Sequence, residues 1–162
     1  MKYLLFFVLL IIFSFAACKT DDFVNPYDGI NNPEEMTEEN INLEPTSFAG
    51  LHANIFSKTC ANSGCHDGTF EPDFRTIESS YNTLVGAAII KNDPQNSFVH
   101  RVVRSDVNAS QLVARVEYDI DGNSGIMPLV VDPDSDWEMN KATYIQNIKD
   151  WIAGGAKDVF GN

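Results

Sequence analysis

The residues with the most chemistry to offer in this 162-residue chain lie in one short run, Cys60-Ala61-Asn62-Ser63-Gly64-Cys65-His66. Two thiols beside an imidazole can close a disulfide, bind a metal ion, make a nucleophile or attach a porphyrin. A c-type haem is held by two cysteines that form thioethers with its vinyl groups and by a histidine next to the second cysteine, usually as Cys-x-x-Cys-His. Adjacency matters because one backbone step sets the imidazole under the ring that its neighbour holds. Cys65-His66 meets that condition. Four residues rather than two separate the cysteines, and a bulged loop through Asn62, Ser63 and Gly64 can still bring Cys60 to its vinyl.

Other uses of the same residues compete. A close cysteine pair in an exported protein commonly forms a structural disulfide, here Cys60–Cys65. Zinc fits less well, since only Cys60, Cys65 and His66 cluster in sequence and structural zinc sites normally show two ligand pairs. A nucleophilic cysteine working with His52 or His100 is poorer still, because the second thiol would oxidise with it.

Downstream, Ile126-Met127-Pro128-Leu129 follows His66 by about sixty positions in a glycine-bearing loop. Methionine most often fills core space. Its soft thioether also favours iron(II) and serves as an axial ligand that raises the reduction potential. With a Cys-His pair upstream and a helix following, Met127 reads as the second axial ligand. His52 or His100 in that role would give bis-histidine iron and a lower potential. The run Asp119-Ile120-Asp121-Gly122-Asn123 hints at a calcium loop, but it lacks the glycine at the sixth position and the glutamate at the twelfth, where Val130 stands.

Helices must carry these residues. Thr46-Ser47 can cap a first helix with Phe48, Leu51 and Ile55 on one face. Ile77, Tyr81 and Leu84 mark a shorter second one. Asn92-Asp93-Pro94 is a turn, and Ser97 can cap a third helix through Phe98, Val102 and Val103. The segment 108–120 carries mixed signals, and Gly122-Asn123-Ser124-Gly125 is a loop. The last helix is the clearest: Asn140 caps it, Tyr144, Ile145, Ile148, Trp151 and Ile152 form its apolar stripe, and Gly154-Gly155 ends it. The expectation is an all-α domain over residues 46–162, with no Rossmann glycine pattern, P-loop or internal repeat.

The N-terminus sets the compartment. Lys2 precedes an apolar run from Leu4 to Phe13, and small residues lead to Ala16-Ala17-Cys18. This reads as a secretory signal over residues 1–17. It is too short for a membrane span, which needs roughly 20 apolar residues. Phe15-Ala16-Ala17-Cys18 resembles a lipobox, so Cys18 is the expected lipidation site and new N-terminus. Residues 18–45 are acidic, rich in Asn and Pro, and without apolar periodicity, the composition of a disordered tether spanning roughly 30 Å. Asp21-Asp22 resembles the acidic signals that place some lipoproteins at the outer membrane, on its periplasmic or surface face. The whole chain has a formal charge of −12, and loss of Lys2 makes it one unit more negative. That surface repels nucleic acid and anionic head groups, so the membrane is reached through the lipid on Cys18 and not through charge.

Taken in order, Ile55 through Cys60, Cys65-His66-Asp67-Gly68, Met127-Pro128, and Trp151-Ile152 with Gly155-Ala156 resemble the cytochrome c domains of bacterial envelope lipoproteins. The wide cysteine spacing is similar to the variant seen in planctomycete-like members. The likeness runs over about residues 46–158, with its specific content in those blocks. It implies a cytochrome c-like helical fold and one covalent haem c, with thioethers at Cys60 and Cys65, His66 as the proximal ligand and Met127 as the distal one. It also implies electron transfer with redox partner proteins of the envelope, without enzymatic activity. Cytochrome-type peroxidases need an open iron position and usually a second haem, and this chain has one motif. The reading from residues alone leaves a second possibility open: a haem-free lipoprotein module with a Cys60–Cys65 disulfide, acting as a binding or accessory subunit of an envelope complex.

Overall fold

The computed structural model describes residues 41–89, 95–119 and 125–162, all within one compact unit, Glu38–Asn162. The signal, Cys18 and most of the expected tether lie outside the described residues, as do Asn92-Asp93-Pro94 and Gly122-Asn123-Ser124. Among the described residues the architecture is helical without strands, and only isolated bridges join extended segments.

Helix α1, Phe48–Leu51, opens where Ser47 accepts a hydrogen bond from the Gly50 amide at 3.0 Å. The cap satisfies one of the amides that a helix start leaves bare. The chain continues without a break into a π-helical segment, His52–Cys60. Its wider turn shows in the Ala61 amide, which bonds the Phe56 carbonyl five residues back at 2.9 Å. Ile55, Phe56 and Thr59 stay on the buried side, and Cys60 reaches the core's edge. The preceding segment presses close: a Cβ on Gly50 would clash with the Glu44 carbonyl oxygen.

Helix α2, Ile77–Leu84, starts at a capping box in which Thr76 and Ser79 satisfy each other's amides. Helix α3, Gln111–Glu117, forms in the segment with mixed sequence signals, and its first six residues are all buried. The expected helix over Ser97–Val103 is absent. That segment is extended and hands its backbone bonds to residues 84–87: Val102 N donates to Leu84 O at 3.1 Å and Arg101 N to Ala87 O at 3.0 Å. β-Branched Val99, Val102 and Val103 suit an extended path better than a helix.

Helix α4, Trp137–Ala153, begins one turn before the expected Asn140 cap, at Asp136. Asn140 lies inside the first turn, and its side-chain amide reaches back to the Asp136 carboxylate at 3.1 Å. Gly155 takes the left-handed conformation, φ 103°, that ends the helix.

The core joins the four α-helices of the described residues. Phe48 packs edge-on to Tyr81 at 5.0 Å and against Trp151 at 5.1 Å, and Phe56 stacks on Phe74 at 4.8 Å. Leu84, Val102, Ile148 and Ile152 are fully enclosed. Each such side chain contributes roughly 1.5–3 kcal/mol of burial free energy.

Candidate functional site

The Cys60–His66 run folds back on itself. The His66 amide donates to the Cys60 carbonyl at 3.2 Å, and the Cys65 amide to the Asn62 carbonyl at 2.9 Å. Gly64 occupies the left-handed region at φ 77°, where a side chain would be strained, and its amide donates to the Asp67 carboxylate at 3.0 Å. The extra spacer residues are thus taken up in a turn that satisfies itself, leaving Cys60, Cys65 and His66 together. Both thiols are free, Cys60 half-buried and Cys65 exposed. Burial, helped by the neighbouring Cys65, pushes the Cys60 thiol up to about 12, so it stays protonated at neutral pH.

Segment 70–74 grips His66 from three sides. The ring nitrogen Nδ1 lies 2.9 Å from the Pro72 carbonyl oxygen. A carbonyl only accepts, so Nδ1 carries a proton, and in the neutral ring the lone pair is then on Nε2. The Phe74 amide donates to the His66 carbonyl at 2.8 Å, and the Phe74 ring meets the imidazole edge-on with centroids 5.4 Å apart. Burial lowers the His66 pKa. Its carbonyl contacts partly oppose that, and the charges of Arg115 and Arg101 add to it. The balance leaves the imidazole below its ordinary pKa, with Nδ1 committed to the Pro72 carbonyl.

Sequence reasoning missed Pro72, Phe74, Arg101 and Arg115. The nearest signal was a proline six residues past His66, which carries no side-chain chemistry of its own. His52 proves to be part of the support: Nε2 donates to the Phe74 carbonyl at 3.2 Å from a buried position, and desolvation lowers its pKa. His100 lies in the extended segment, not on a helix, bridged to Ala88 and Ser110.

Met127 is half-buried and packs against the same core that Cys60 borders. Its amide donates to the Arg115 carbonyl, and the Arg115 charge helps to lower the His66 pKa, so one residue of α3 bears on both candidate ligands. Met139 is 83% exposed on α4 and is no rival. Phe70, four residues after His66, and Leu129 and Val130, shortly after Met127 in the chain, stand exposed. Among the described residues no three His, Cys, Asp or Glu side chains converge as a metal site. A groove lined by Phe48, Trp151, Lys157 and Phe160 includes none of Cys60, Cys65, His66 and Met127. No family model, curated protein or solved structure matches the chain.

Proposed function

We propose that this chain is a monohaem c-type cytochrome, a lipid-anchored electron carrier of the bacterial envelope with His66 and Met127 as axial ligands. The observation that carries this reading is the hydrogen bond from His66 Nδ1 to the Pro72 carbonyl, beside two free thiols. Histidines that bind metals almost always give their other ring proton to a carbonyl or carboxylate, which fixes the ring and strengthens it as a donor. A disulfide or packing role for Cys60 and Cys65 would ask nothing of the neighbouring imidazole.

The donor types match the group: two thiols, an imidazole and a thioether. Cys60 from the end of the π-helical segment and Cys65 from the following turn would hold the porphyrin edge, and His66 Nε2 would meet the iron. Met127, hung from Arg115, would offer its thioether from its own loop. Phe70, Leu129 and Val130 would cover the macrocycle's apolar faces and lose exposed surface in doing so. Bound haem supplies a one-electron iron couple, and soft thioether ligation raises its potential. The Cys18 lipid, with the acidic chain after it, would keep the domain at the outer membrane within reach of envelope redox partners. Neutral or basic patches are the natural docking surfaces for so acidic a protein.

The visible spectrum of protein purified from its native host tests this. A c-type cytochrome shows sharp bands that survive denaturation. A colourless preparation would sink the reading in favour of a haem-free module.

A further inference from the structure

We propose that the Glu71–Arg101 ion pair is a positioning device that sets the strength of the His66–Pro72 hydrogen bond, and through it the reduction potential of the iron. This rests on the haem reading above. Glu71 is the residue directly before Pro72, and its Oε2 meets Arg101 Nη2 at 2.9 Å. The arginine is the fixed half of the pair. Its other guanidinium nitrogen donates to the Thr83 carbonyl at 2.8 Å, its amide to Ala87 at 3.0 Å, and its own carbonyl accepts from Leu112 at 2.9 Å. Its side chain is 11% exposed, against 56% for Glu71. A buried cation with several bonds of its own therefore holds a half-solvated carboxylate, and with it the residue that leads into Pro72.

The rest of the segment is anchored as well. Thr83 Oγ1 accepts from the Asp73 amide at 3.0 Å, and His52 holds the Phe74 carbonyl. These fix the far side of Pro72, and Glu71–Arg101 fixes the near side. A carbonyl drawn firmly onto Nδ1–H gives the imidazole more anionic character, which favours iron(III) and lowers the potential; a slack carbonyl does the reverse. The pair is half open to water, so salt weakens it, with a Debye length falling from about 10 Å at 0.1 M to about 3 Å at 1 M.

The test is Glu71→Gln in the full-length lipoprotein purified from its host. The carboxamide keeps the shape and removes the charge at an exposed side chain, so folding is preserved. The variant should show a higher reduction potential and a lower iron–imidazole stretching frequency. The wild type should move the same way when salt is raised, and the variant should respond less. Solvent exchange of the His66 Nδ1 proton should quicken severalfold in the variant, and NMR reads this whether or not haem is attached. Preparations without haem would contradict the functional reading and leave the exchange comparison to judge the pair. An unchanged exchange rate, or a loss of thermal stability with potential and stretching frequency both unmoved, would reduce Glu71–Arg101 to an ordinary structural contact and overturn the proposal.

Discussion

The Met127 amide donates to the Arg115 carbonyl oxygen at 2.7 Å, which ties the proposed distal ligand to the last turn of α3 and not to its loop alone. Five of the first six residues of that helix are hydrophobic-core or guanidinium side chains turned away from water, so the attachment point is rigid. In the proposed cytochrome, a thioether held this way would meet the iron at small entropic cost, because the backbone that carries it is already ordered.

Met127→His should therefore keep covalent haem and a folded domain while lowering the reduction potential, since imidazole stabilises iron(III) better than thioether does. Met127→Ala should admit cyanide or carbon monoxide that the wild type binds slowly. Met139→Ala should alter neither property. Near-infrared or magnetic spectroscopy of the oxidised protein reads the ligand directly, and a bis-histidine signature lost in His100→Ala would transfer the role to His100.

His52 makes stability depend on pH. Its folded pKa is lowered, chiefly by burial, from the 6.5 of the unfolded chain. Below that value the unfolded chain takes up a proton that the folded chain still refuses, so stability present above pH 6.5 is lost as pH falls through the lowered folded value. The denaturant midpoint should drop between about pH 7.5 and about pH 5.5, and the drop should be smaller in His52→Gln, which keeps a donor for the Phe74 carbonyl.

Gly50→Ala should destabilise the domain by about 1–3 kcal/mol or more, the range for atoms forced into a packed site. The added methyl would clash with the Glu44 carbonyl oxygen, a backbone atom that cannot swing aside. Chemical denaturation would show it, and a variant as stable as wild type would mean that residues before Ser47 lie loosely on the helix.

Cys18→Ala should leave the protein uncleaved with its signal attached, or release it from membranes. A processed chain that still sediments with membranes would rule out the lipid on Cys18.

Much of the fold was legible in residues whose patterns are local. Ser47 before Phe48, the Ile77–Tyr81–Leu84 spacing, and the Ile145–Ile148–Trp151–Ile152 stripe each announce a helix through capping or periodicity, and the structure has all three. Helix α3 was not legible, because a helix buried on nearly every side has no polar face to set a period. Nor was the extended path of 97–103, whose backbone partners, Leu84 and Ala87, lie far back in the chain. At the site the pattern showed side chains that could act, Cys60, Cys65, His66 and Met127. It did not show what orients them, because the hydrogen bonds there come from the backbone carbonyls of Pro72 and Arg115 and the backbone amide of Phe74, and nearly every residue type carries both groups.

The central claim is that Cys60 and Cys65 are spent on one haem, and intact-mass measurement of denatured protein from the native host tests it most directly. The mature chain beginning at lipidated Cys18 should carry the added mass of a single haem, and Cys60→Ala with Cys65→Ala should remove that mass and destabilise the domain, since a group held only in the folded state stabilises by linkage. A wild-type mass two protons below that of the reduced polypeptide, with no haem added, would show a Cys60–Cys65 disulfide and contradict the account.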